Sequence, residues 1–300
     1  DTGINTDHPS FAATGGDGYT HTNPLGSGNY LGDCDGDFPN LCNDKLIGVY
    51  SYALITNQYA DTDIFPVGLG RNGEDYNGHG SHVAGTAAGN ILYDVPVYGL
   101  AFDEEVSDGY PGEFTFDQMS GMAPHANIIS FQTCLPGESD DEYTGCYYSL
   151  AISAIDDAIS TGIVDVINYS ISGGEAVWGD ALSEAWLSAN NAGIFVAHSA
   201  GNDGPGVSTS DKFAPWITPV AATDHGRVID YSKTLSSFSG GVSLPSTITG
   251  QSNTAGITAN VVYAGDFTNP NDPDGDSAQC LEPFPAGTFN GEIVLRDRGE

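Results

Sequence analysis

The string Asn77-Gly-His79-Gly-Ser-His82-Val-Ala-Gly-Thr86 sets an imidazole among glycines that let the backbone pass tightly, followed by small residues able to start a closely packed helix. An imidazole at such a helix start can stand exposed at the end of a sheet. One ring nitrogen can then take a proton from a hydroxyl nucleophile while a carboxylate orients the ring through the other, and a pKa near neutrality suits histidine to that work. Two plainer readings stand beside this one: a histidine packed in the core, or a metal pair formed by His79 and His82. A candidate carboxylate lies in Asp1-Thr-Gly-Ile-Asn5. Alone it is ambiguous, because aspartic proteases use the same tripeptide. They need a second copy to form a pair sharing one proton, and no second Asp-Thr-Gly or Asp-Ser-Gly occurs. Nor does any Gly-x-Ser-x-Gly elbow point to another kind of hydrolase.

Groups of this kind need a rigid frame, and the apolar runs provide one. Lys45 to Ala53, Ala126 to Gln132, Gly162 to Ile171, Gly193 to His198 and Ile217 to Ala222 are rich in Val, Ile, Phe and Ala without regular polar alternation, the pattern of strands buried on both faces. Ser149 to Ser160 and Trp178 to Ala192 carry apolar residues at three- and four-residue spacing, as core-facing helices do. Strand and helix in alternation predict an α/β domain built on a mostly parallel sheet covered on both faces. After about Gly241 the texture changes to short β-type runs, Thr258 to Tyr263 and Gly291 to Leu295, so residues 1–241 and 242–300 are expected to form separate units. The acidic stretch Phe102 to Phe116 is expected to be a surface insertion.

Seven Lys plus Arg against forty Asp plus Glu give a net charge of −33, a field that repels nucleic acid and anionic lipid alike. Neither is expected as a partner. Such a surface suits a protein working where salt screens its self-repulsion. No stretch approaches the roughly 18 consecutive apolar residues of a membrane span. Cys34 with Cys42 and Cys134 with Cys146 are closely spaced pairs in loop sequence, without zinc-type spacing or nearby histidines; they are expected to be local disulfides of an exported protein. Cys280 is left over, with a partner expected beyond Glu300. Asp33, Asp35 and Asp37, and again Asp272, Asp274 and Asp276, alternate in a way that could hold a structural calcium. Both sets fail the EF-hand template, and a solvated acidic loop is the plainer reading. No cofactor is required.

From His79 to Thr86 the sequence is similar, in all but Ser81, to the histidine block His-Gly-Thr-His-Val-Ala-Gly-Thr of the subtilisin-like serine proteases. Further matches follow in that family's order: Cys42-Asn-Asp-Lys-Leu-Ile-Gly48, Gly121-Met-Ala-Pro124, Val166-Ile-Asn-Tyr-Ser-Ile171 and Ser199-Ala-Gly-Asn202-Asp-Gly204. The resemblance implies a secreted endopeptidase of three-layer fold, with His79 as base, Asp1 as the acid that orients it, His82 in support, and Asn202 donating its amide to the oxyanion. It further implies that an extended peptide or protein substrate pairs with the strand end at Ser170, Ile171, Ser172 and Gly173 and meets Ser199, Ala200 and Gly201. Here the chain reads Ser170-Ile-Ser-Gly-Gly174 where the family usually has Ser-Leu-Gly-Gly. The sequon Asn168-Tyr-Ser170 is discounted, because a site beside the sheet core is expected to be hidden.

The family's nucleophile sits in Gly-Thr-Ser-Met-Ala, a string absent from these 300 residues. By resemblance the serine lies beyond Glu300, and so does the rest of the polypeptide it needs; the strand that presents Asp1 is missing as well. Phe213-Ala-Pro-Trp-Ile-Thr-Pro-Val-Ala-Ala222 followed by a β-rich unit resembles the larger subtilases, in which an inserted protease-associated domain precedes the serine. The alternative is a subtilase-fold module that binds peptides or surfaces without catalysis.

Overall fold

The computed structural model describes residues 1–300 apart from 60–69, 100–109, 138–143, 211, 224–225, 227–231, 241–242, 244, 253–255, 274, 281 and 298–300. Its first unit, Asp1–Tyr93 with Asp117–Arg227, holds two three-stranded parallel sheets. In one, β1 (Leu31–Gly32) and β2 (Leu46–Tyr50) run with a strand at Ile128–Phe131, paired Leu31 to Gly48 and Val49 to Ser130. The helices α1 (Ala53–Tyr59) and α2 (His79–Ala88) lie between these strands in sequence. Small residues let α2 approach closely: Ala84 packs on a cluster of Ile4, Phe11, Leu46 and Val49, all at or near complete burial.

The strand at Ile128–Phe131 is β5, because β3 (Leu92–Gly99) and β4 (Tyr110–Met119) precede it as a two-stranded sheet. Of the stretch Phe102 to Phe116, expected to be a surface insertion, residues 102–109 lie outside the described residues. Tyr110 onward is strand, paired with β3, the strand just before it in sequence.

The second parallel sheet is formed by β6 (Val166–Tyr169), β7 (Phe195–Ser199) and β8 (Thr218–Val220), in that order. Its helices, α3 (Tyr148–Thr161) and α4 (Ala181–Asn191), fall where three- and four-residue spacing predicts them. Ala151 and Ile155 of α3 and Leu182, Ala185, Trp186 and Ala189 of α4 close over Tyr169, Ile194 and Val196. Each large side chain buried in this cluster contributes about 1.5–3 kcal/mol. Asp180 caps α4 by accepting from the backbone N–H of Leu182 (2.9 Å) and Ser183 (3.1 Å), and Gly162 ends α3 at φ 67°.

The sequence predicts one central sheet, whereas among the described residues the two sheets are not hydrogen-bonded to each other, and β5 and β6 are edge strands. An apolar cleft lies between them, lined by Phe131, Ala151, Ile155, Ile167, Tyr169 and Trp186, with Asp1 at its wall. Edge position also explains why Asn168, expected to be hidden, is exposed, its amide donating to Ser170 Oγ (3.0 Å).

The second unit, Asp94–Phe116 with Val228–Glu300, is strand-rich: β9 (Ser232–Leu235) pairs antiparallel with β10 (Ile248–Gln251), and β11 (Val261–Tyr263) parallel with β12 (Ile293–Leu295). This unit begins near Val228, where the sequence reading put the change at Gly241, and takes in a segment before β5. No helix among the described residues is long and apolar enough to cross a membrane.

Candidate active site

Asp1 continues the pattern of β5. Its backbone nitrogen donates to the Phe131 carbonyl (3.0 Å) and its carbonyl accepts from Thr133 N (2.8 Å) and Cys134 N (3.1 Å). The disulfide Cys134–Cys146 ties down the chain at this point, and Cys34–Cys42 closes the loop before β2, so both expected bridges form. Gln132 Nε2 bonds the carbonyls of Thr2 (3.0 Å) and Glu74 (2.9 Å), and Ile4 bridges to Glu74. Asp1 therefore sits at the carboxyl end of β5.

His79 is the first residue of α2. Gly78, at φ 101°, makes the turn into the helix, a conformation that residues with a side chain rarely adopt. Gly80 lies against Gly3 so closely that a Cβ there would be 2.2 Å from the Gly3 carbonyl oxygen. The two glycines around His79 thus have separate reasons, one a backbone angle and one a close approach. Thr2 Oγ1 accepts from Gly80 N (2.8 Å) and donates to Asp75 Oδ1 (2.9 Å), fastening the start of α2 to the residue after Asp1. Ser81 keeps the hydroxyl of the Thr it replaces at work: it donates to Asp75 Oδ2 and accepts from Asn5 N (2.9 Å).

These constraints bring His79 Nδ1 to 2.8 Å from Asp1 Oδ1, which also accepts from Thr2 N (2.8 Å). A carboxylate only accepts, so Nδ1 carries a proton, and in the neutral ring Nε2 then keeps its lone pair. The imidazole is half exposed and the carboxylate about a fifth exposed, so the pair faces a surface where another group can reach Nε2. Half exposed, with Nδ1 bonded to Asp1, His79 is not a core histidine. His82 is exposed one turn on, and among the described residues no three His, Cys, Asp or Glu side chains gather as a metal site.

Ser170, Ile171, Ser172 and Gly173 follow β6, Ser199 ends β7, and Ala200, Gly201 and Asn202 form the turn after it, so all lie at carboxyl ends of neighbouring parallel strands. Ala200 N bonds the Val220 carbonyl (2.9 Å), and Ile171 packs on the α3–α4 core. Gly173, at φ 125°, has no room for a Cβ beside the Tyr148 ring. Asn202 is exposed and makes no hydrogen bond to Asp1 or His79. The structure thus joins two of the predicted residues directly and places the others at strand ends without joining them to that pair. Sequence reading passed over Thr2, Asp75 and Gln132. Only Asp75 left a signal, an acidic residue just ahead of a helix start.

An imidazole held by a carboxylate at the start of a helix, in a unit of parallel strands and helices, is the framework of an α/β protein. Residues 1–271 match the profile of the Subtilase family. Among curated relatives, subtilisin-like protease SBT1.4 of Arabidopsis thaliana is 30% identical over all of this chain and 34% of its own length. SBT1.5 is 32% identical over all of the chain and 35% of its own, and SBT2.3 is 35% identical over 78% and 26%, both from the same plant. The chain belongs to the subtilase family, and spans about a third or less of the length of these relatives.

Proposed function

We propose that this chain is part of the catalytic domain of a secreted subtilisin-like serine endopeptidase, supplying the base His79, the orienting acid Asp1 and the oxyanion donor Asn202. The observation that carries the proposal is the 2.8 Å bond from His79 Nδ1 to Asp1, which leaves Nε2 to act as base. In the mechanism, a serine from the remainder of the longer protein attacks a peptide carbonyl. His79 Nε2 takes the hydroxyl proton and returns it to the leaving amine; Asp1 fixes the tautomer and stabilises the imidazolium. Asn202, in the turn after β7, offers its carboxamide to the oxyanion as negative charge gathers there.

Ser170 to Gly173 and Ser199 to Gly201 would hold an extended stretch of protein substrate, at strand ends where main-chain pairing is available. The free edges of β5 and β6, with the apolar cleft between them, fit a strand leading into Asp1 that completes a single central sheet covered by helices on both faces. The strand-rich second unit fits the beginning of an inserted protease-associated domain. Two disulfides support an oxidising, extracellular setting. The proposed chemistry uses side chains and main chain alone.

The test is made on the full-length protein. A fluorophosphonate probe should label one serine, and peptide hydrolysis should fall about 10^4-fold in Asp1→Asn, the loss that the same exchange causes in a triad of unrelated fold; His79→Ala should also stop labelling. A full-length wild type that neither labels nor cleaves peptides would instead support a non-catalytic module.

A further inference from the structure

Lys45 is one of only seven lysines and arginines against forty acids, yet it is wholly buried and, among the described residues, bonded to no carboxylate. Its ammonium donates to three main-chain carbonyls: Ala88 at 2.5 Å, Pro124 at 2.7 Å and Ala126 at 2.8 Å. Ala88 is the last residue of α2, the helix that begins at His79. The other terminal carbonyls of α2 are taken by backbone donors, Gly85 O by Gly89 N, Thr86 O by Met122 N and Ala87 O by Ala123 N. The stretch Gly121-Met-Ala-Pro124 thus docks along the carboxyl end of α2, and Lys45 closes what it leaves open. Gly121 permits the approach, since a Cβ there would be 2.4 Å from Gly89 N. A helix carboxyl end carries partial negative charge, and three converging carbonyls add to it. An ammonium, with three N–H donors, can satisfy all three.

We propose that Lys45 is a positioning residue for His79, a built-in cation that anchors the far end of α2, and that removing its side chain leaves a three-carbonyl site able to take a primary alkylammonium ion. Burial pulls the Lys45 pKa down to about 8, so the ammonium is still the principal form at neutral pH. The neutral amine would have fewer protons than there are carbonyls to satisfy. The cation site stands on its own geometry; only its bearing on catalysis rests on the reading of His79 as base.

The experiment uses the full-length protein as wild type, Lys45→Ala and Lys45→Met. Thermal midpoints are compared in propylammonium chloride, which replaces the atoms lost from Lys45 in the alanine variant, and in tetramethylammonium chloride at equal ionic strength, which cannot donate. The NMR signal of the His79 Nδ1 proton is followed in parallel. Lys45→Ala should lose about 5 °C or more, as buried carbonyls go unsatisfied. Propylammonium should restore both the midpoint and the His79 signal saturably, whereas tetramethylammonium should do no more than it does for wild type. Lys45→Met fills the space without donors and should stay low in both salts. Equal rescue by the two salts, or a methionine variant matching wild type in midpoint and His79 signal, would overturn the cation site. A rescued midpoint with a His79 signal that never changed would overturn the positioning role. If the alanine variant does not fold in either salt, the methionine variant decides by the same criteria. Failure of peptide hydrolysis alone would count against the proposed function and leave these readouts standing.

Discussion

The carboxylate of Asp75 accepts from five donors: Thr2 Oγ1, Asn77 N, Gly78 N, Ser81 N and Ser81 Oγ. Burial works to raise its pKa, but the Ser81 hydroxyl and the N–H groups of Gly78, Ser81 and Asn77 outweigh it and hold the pKa below the ordinary 3.8. Since the unfolded chain binds that proton more readily, the stabilisation is complete above pH 3.8 and is lost as pH falls through the lower folded value. Asp75→Ala should therefore cost about 2 kcal/mol at neutral pH. Urea unfolding across pH should show the deficit shrinking below pH 3.8; a deficit constant down to the most acid point would contradict the assignment. The sequence made His79 legible because its neighbours are constrained by backbone geometry that few residue types meet. Lys45 opens a run that reads as a buried strand, but its role stayed illegible because its three acceptors lie more than forty residues away.

Held at both ends, α2 is the element that converts these contacts into a placed imidazole. At its start Gly80 meets Gly3; at its finish Gly89 and Gly121 meet, and Lys45 takes the last carbonyl. Gly80→Ala should push the helix off the Asp1 segment, since the Gly3 carbonyl is backbone and has little freedom to yield. A loss of about 1–3 kcal/mol in chemical denaturation is expected, with the larger share of the damage to the His79–Asp1 bond. Unchanged stability would show that the close approach is not required. Among elements, α3 and α4 were readable from their spacing because each packs one apolar face on a common core. By contrast the pairing of β2 with β5, and the separation of β5 from β6, depend on segments remote in sequence, which local composition does not encode.

Across the whole molecule the excess of 33 negative charges opposes compactness at low ionic strength. Raising sodium chloride from about 0.01 M to about 1 M shortens the screening length from about 30 Å to about 3 Å, so the thermal midpoint should climb over that range. A flat or falling midpoint would mean that the acidic groups are neutralised by other means. All of these effects converge on one claim, that a neutral imidazole is held by a carboxylate with its second nitrogen free to accept a proton. The most direct test is long-range proton–nitrogen correlation NMR of His79 in the full-length protein at neutral pH. A proton on Nδ1, protected from exchange and lost in Asp1→Ala, is the predicted result. A His79 protonated on Nε2 instead, or one indifferent to the loss of Asp1, would contradict the account.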